Sequence, residues 1–233
     1  MPGRDLDGAV VAVVGASGGL GAPTAALLSS RGATVVCAGP HRASLERTAP
    51  DPDALIIELD LRDPRAGDLL VDAVSARYGR LDGVVDAAGV VAFGNLTDTP
   101  DETIEELFLT NVLGPLWLIK RVTPLLAESR GFLLMISAVL AEQPLPGMAA
   151  YGASKAALSS ATRSLTRELR RQGVTVIDAR PPHTETGLAS RAIHGSPPRL
   201  PTGLDPGAVA ARLVQAIESG ESEIASGQFV DPT

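Results

Sequence analysis

The sequence predicts an α/β fold: a doubly wound, mainly parallel sheet with helices on both faces, in one domain spanning residues 1–233. Three observations predict it. Short β-branched runs alternate with longer helix-like segments, the rhythm of strand, crossover helix and parallel strand. A glycine cluster follows the first run directly and opens the first helical segment. Finally, 233 residues at 45% hydrophobic and 20% charged content suffice for one sizeable core of ordinary globular composition.

The elements are expected in the following order. A strand at Val10–Val14 leads into a helix at Ala22–Arg31, and a second strand runs Ala33–Ala38. Leu55–Leu59 reads as the third strand and Asp68–Tyr78 as a helix. Val84–Ala88 is the fourth strand, followed by one long helix from about Asp101 to Ala127 with Pro115 inside it. Phe132–Ser137, a helix from about Ala149 to Arg171, and Thr175–Ala179 come next. A helix at Ala208–Ser219 and a strand at Glu223–Phe229 complete the sheet. Gly32 and Gly173 are natural helix stops, and Pro100-Asp101-Glu102 sets acids at a helix start. The stretch from Gly187 to Pro206, rich in Pro, Gly and Ser, is expected to be a loop or lid.

Charge and cysteine content exclude several classes. Lys and Arg total 20 against 27 acids, a formal net charge of -7, so no global basic field draws in nucleic acid or anionic lipid. The lone Cys37 cannot form an internal disulfide, and His41, His183 and His194 have no metal-site spacing. Met1 to Val14 lacks a secretory pattern, and no apolar run approaches the ~20 residues that span a bilayer. A soluble, cytoplasmic protein is expected.

The chemistry is carried by two segments. In Gly15-Ala16-Ser17-Gly18-Gly19-Leu20-Gly21, backbone N–H groups and a helix N-terminus can face an anion that no side chain obstructs, which suits a dinucleotide pyrophosphate. In Tyr151-Gly152-Ala153-Ser154-Lys155, the tyrosine and lysine stand four apart on a predicted helix, so an ammonium can sit near a phenol. A free tyrosine titrates near ~10, and bringing it to neutrality takes some ~4 kcal/mol of phenolate stabilisation.

The Gly-x-x-x-Gly-x-Gly spacing resembles the short-chain dehydrogenase/reductase family, and the ordered set of later motifs from Val10 to about Gly220 makes the resemblance specific. Asp60, with Leu61 after it, matches the aspartate that meets the adenine edge; Asp86-Ala87-Ala88-Gly89 resembles Asn-Asn-Ala-Gly; and Asn111 matches the helix asparagine. Pro181-Pro182-His183-Thr184-Glu185-Thr186 resembles Pro-Gly-x-x-x-Thr, which passes beside the nicotinamide. Val14, Asp86-Ala87 and Pro182 depart from the family pattern.

The resemblance implies a single-domain, Rossmann-type NAD(P)-dependent oxidoreductase that moves hydride between nicotinamide and a carbonyl or secondary alcohol. Tyr151 would be the acid/base, Lys155 would assist it and hold the ribose, and Asn111 would hold a proton-relaying water. The cofactor would be touched by Gly15, Ser17, Gly19, Leu20, Gly21, Asp60, Leu61, Ala88, Gly89, Asn111, Tyr151, Lys155, Pro181, Thr184 and Thr186. The family's serine lies thirteen residues before the tyrosine, where this chain has Ala138; Ser137 is the neighbouring candidate, though strand alternation turns it away unless a bulge intervenes. Ala138 also motivates the alternative of a cofactor-binding sensor or scaffold with impaired catalysis. At the end of the second strand Gly39 leaves no carboxylate to repel a 2'-phosphate, and Arg42 could contact one, so NADP is expected over NAD. Val139, Leu140, Gln143, Pro144, Leu145 and Met148 suggest a small apolar carbonyl or alcohol as substrate. Family analogy implies a homodimer or homotetramer.

Overall fold

A computed structural model describes residues 4–229, so what was expected of Met1–Gly3 and Val230–Thr233 lies outside it. The strands are β1 (Val10–Val14), β2 (Thr34–Gly39), β3 (Leu55–Glu58), β4 (Gly83–Asp86), β5 (Phe132–Ile136), β6 (Thr175–Ala179) and β7 (Glu223–Ile224). They form one sheet in the order β3-β2-β1-β4-β5-β6-β7, every pairing parallel. The chain winds outward from β1 to β3, then returns across β1 to start β4. That reversal opens a crevice at the carboxyl ends of β1 and β4, the usual ligand position in such sheets.

The helices are α1 (Gly21–Ser30), α2 (Arg42–Thr48), α3 (Ala66–Tyr78), α4 (Asp101–Phe108), α5 (Gly114–Glu128), α6 (Ala149–Glu168) and α7 (Pro206–Ser219). Alternate residues of each strand feed two cores. Val11 and Val13 pack with Leu28 of α1 and Leu213 of α7, whereas Val10, Ala12 and Val14 pack with Leu70, Val122 and Leu158 of α3, α5 and α6. Burial on both faces explains why these strands are apolar throughout.

Most boundaries agree with expectation to within two residues, and three elements depart further. The helix expected over 101–127 is divided by a π-helical turn at Leu109–Leu113. Pro115 has no N–H for the carbonyl four residues back, that of Asn111, and the wider turn absorbs the missing bond. Strand β7 stops at Ile224, because the Ala225 N–H turns to Gln228 Oε1 (2.7 Å) and a 3-10 turn follows. The helix expected to reach Arg171 ends at Glu168 and passes into a 3-10 turn closed by Gly173 at φ 79°.

Candidate active site

The turn after β1 is built around glycines that nothing else can replace. Gly15 has φ 78°, and a Cβ there would come 2.8 Å from the Ala88 nitrogen; one on Gly19 would come 2.5 Å from Thr186. Gly18 and Ala22 donate their N–H groups to Gly15 O and Gly18 O, while those of Gly19, Leu20 and Gly21 donate to no acceptor among the described residues. Three N–H groups at the start of α1 thus stand ready for an anion.

A cavity of about 250 Å³ opens beside this turn. Of the residues expected at the site, Gly19, Leu20, Ala88, Gly89, Ser137, Tyr151, Lys155, Pro181, Thr184 and Thr186 border it. Gly15, Ser17, Gly21, Arg42, Asp60, Leu61 and Asn111 do not line it.

Tyr151 and Lys155 are both buried on α6, Tyr151 in a cluster with Val91, Phe93, Leu107 and Met148. Lys155 Nζ donates to Ile136 O at 3.0 Å, and a Cβ on Gly89 would lie 3.2 Å from it. An ammonium has three donors, so two remain for a ligand. Desolvation brings Lys155 down to about 8, opposed by the charges of Asp86 and Asp178. Burial pushes the Tyr151 phenol above its ordinary value. The Lys155 ammonium is directed at Ile136 O, and desolvation is what acts on the phenol.

Asn111, on the π turn, is fully buried. Its Oδ1 accepts from Val90 N (2.9 Å), and its Nδ2 donates to Val90 O (3.0 Å) and Ser154 Oγ (3.0 Å). These bonds fix the loop after β4 against α6, which carries Tyr151. The carbonyl of Asn111 is the one that Pro115 leaves without its helical donor.

Ser137 is corrected. It borders the cavity, but its hydroxyl donates to Asp178 Oδ1 (2.6 Å) and lies 3.1 Å from Ala179 O, on the sheet face under α6. No bulge rotates it, and the β5–β6 register continues evenly to Ile136–Ala179. Ala138 borders the cavity too, and it brings no hydroxyl. The candidate reading of Ser137 as the substitute hydroxyl does not survive this geometry.

Arg42 is also altered by its neighbours. Glu46 and Glu58 stand 3.7 and 3.9 Å from its guanidinium, so carboxylates do crowd this end of the sheet although Gly39 is not one. The Asp60 carboxylate is held by Arg62 at 2.7 Å, and these bonds hold it below the ordinary carboxylate range.

The rest of the cavity is apolar, with Val91, Phe93, Leu140, Leu145, Met148 and Leu188 among its walls. Gln143 and Pro144 are not in the lining. The loop at 187–206 is pinned at two bridges, Ala92 with His194 and Thr184 with Leu204. His183 lines the cavity, but its Nε2 lies 3.4 Å from Glu185 Oε1.

Two buried charges near the site, Asp178 and Arg180, escaped sequence reasoning, and a third, Asp86, was read only as a departure from the resembling motif. Asp178 accepts from Ser137, Ser159 Oγ (2.6 Å) and Arg180, which also bonds Glu142 and Glu223. An aspartate inside the apolar run Thr175–Ala179 was the available signal, because a strand buried on both faces tolerates a charge only when it is paired.

The family model described as short chain dehydrogenase matches residues 9–196. An uncharacterized oxidoreductase of Staphylococcus epidermidis is 31% identical over 194 residues, covering 82% of this chain and 84% of that one. A short-chain dehydrogenase structure from Streptomyces avermitilis has a TM-score of 0.84 and 28% identity, covering 97% of this chain and 91% of that one. The structure of a 3-ketoacyl-(acyl-carrier-protein) reductase from Brucella melitensis complexed with NADH has a TM-score of 0.86 at 22% identity, with 97% and 100% covered, a likeness of fold. Among the described residues no helix is long and apolar enough to cross a membrane, and no cluster of His, Cys, Asp or Glu could hold a metal.

Proposed function

Because this chain belongs to the short-chain dehydrogenase family, we propose that it interconverts a small aliphatic carbonyl compound and its alcohol with a nicotinamide dinucleotide. The observation that carries this reading is the meeting, in one apolar cavity, of the glycine turn with Tyr151 and Lys155. The residues fit the cofactor. Three unpartnered N–H groups at α1 suit a pyrophosphate, and the two unused donors of buried Lys155 suit ribose hydroxyls. When bound, the nicotinamide supplies or takes up the hydride.

In reduction, Tyr151 gives its hydroxyl proton to the carbonyl oxygen as the alcohol forms; in oxidation it takes that proton back. Lys155 holds positive charge near the phenol, and Asn111 ties the loop after β4 to α6. NADP is the preferred cofactor in this reading, since Gly39 presents no carboxylate, with Glu46 and Glu58 limiting how far Arg42 can favour a phosphate. The whole chain would act as one domain with 187–206 as its lid, in a cytoplasmic homo-oligomer.

Ala138 and the engaged Ser137 hydroxyl favour one second reading, a cofactor-binding protein without turnover. The two are separated by following nicotinamide absorbance with aliphatic ketones, aldehydes and secondary alcohols, NADP(H) and NAD(H) offered separately. Consumption supports the enzyme. Cofactor binding with no consumption across the panel supports the second reading.

A further inference from the structure

Lys155 is buried over the middle of three adjacent strand ends. Its Nζ bonds Ile136 O of β5, and the flanking strands carry aspartates in the same register, Asp86 as the last residue of β4 and Asp178 as the last but one of β6: Asp86 pairs with Met135, which pairs with Asp178. At about 4.8 Å per strand the two carboxylates straddle Lys155 with some ~10 Å between their backbones. Both project to the face that carries α6, because Val84 and Val176, two residues earlier on each strand, pack in that core.

The two aspartates are not equivalent. Asp178 is fully engaged by Arg180, Ser137 and Ser159. Asp86 is 2% exposed and accepts one hydrogen bond, from Ala88 N at 3.1 Å. No cation forms a direct ion pair with it among the described residues.

We propose that Asp86 is the counter-ion of Lys155, a positioning residue that keeps the ammonium charged in a dry site. The proposal rests on the oxidoreductase reading for its catalytic meaning. The charges that act on Lys155 are Asp86 on β4 and Asp178, itself paired with Arg180, on β6; Tyr151 is one turn earlier on the same helix, and the neutral Asn111 Oδ1 stands beside the same point over Gly89 as Lys155 Nζ. Burial pushes Asp86 up to about 6 and Lys155 down to about 8, so both are charged between those values and each favours the charge of the other. Asp86 occupies the place of a neutral asparagine in the resembling motif, so this chain adds a charge where the motif has none.

The chain has only two lysines, Lys120 and Lys155, which allows a direct test. Protein labelled with carbon-13 at the lysine ε position gives two signals, and Lys120→Arg identifies that of Lys155. In Asp86→Asn, which keeps the shape and can still accept from Ala88 N, the Lys155 titration midpoint should fall by about one pH unit. The alkaline limb of turnover should move with it. Asp86→Ser, smaller and equally neutral, should give the same shift. An unchanged Lys155 midpoint in either variant, with native circular dichroism, overturns the proposal. The titration needs neither substrate nor turnover, so failure of the oxidoreductase reading would be seen separately, as an inactive wild type whose Lys155 still responds to Asp86.

Discussion

Substituting Ala138→Ser adds the one hydroxyl that the cavity wall lacks. Ala138 is 7% exposed and borders the cavity with Tyr151. Its backbone is extended, at φ -168° and ψ 161°, a conformation that serine adopts without strain. Alternation along the chain aims the new hydroxyl at the cavity, opposite to that of Ser137. A donor aimed at a developing oxyanion lowers the barrier by about 3 kcal/mol, or roughly a hundredfold in kcat. Against that, a hydroxyl without a partner costs about 1–3 kcal/mol of stability, so the variant should melt slightly lower while turning over faster. Ser137→Ala is the control. It should leave kcat within a few-fold and lower the melting temperature, because it withdraws a donor from buried Asp178. The assay is nicotinamide absorbance with aliphatic ketones alongside thermal unfolding of all three proteins. A hundredfold loss of kcat in Ser137→Ala, with no gain in a folded Ala138→Ser, would refute the reasoning.

Further outcomes follow from the buried charges. Asp178→Ala takes the carboxylate from the Ser137 and Ser159 hydroxyls and leaves Arg180 with Glu142 and Glu223; it should cost about 1–3 kcal/mol, a fall of roughly 5 °C in melting temperature read by calorimetry. Cys37 is buried and its thiol is pushed up to about 11, so Ellman-type reagents should leave it untouched in the native protein and modify it on unfolding. Asp86 is raised from 3.8 to about 6, so the folded state holds its proton more tightly than the unfolded chain. Its contribution to stability therefore falls as pH rises from about 4 to about 6. Asp86→Asn should gain on wild type across that interval, by up to about 3 kcal/mol in denaturant titrations; a gap that narrows with rising pH would contradict this.

Much of the fold could be read because a parallel sheet buried on both faces leaves a simple trace, with β-branched runs between helical segments and glycines at the turns. The interruption at Leu109–Leu113 was less legible. Pro115 was visible, but whether a proline kinks, ends or widens a helix depends on what packs against it, and here the widened turn carries Asn111. Tyr151, Lys155 and the glycine turn, which border one cavity, were singled out from local spacing. Asp86 and Asp178 were not understood as charges, since their meaning depends on strand register, a non-local property. Ser137 and Ala138 mark the boundary between the two cases: alternation alone indicated which side chain faces the cavity, but not that Asp178 engages the other.

The proposed chemistry depends most directly on the phenol of Tyr151, and Tyr151→Phe removes that hydroxyl alone. Turnover should be measured beside cofactor affinity, the latter by nicotinamide fluorescence. Turnover should drop by about 10²–10⁴ with cofactor affinity held within a few-fold. A variant that turns over at the wild-type rate would contradict the assignment of Tyr151 as the acid/base.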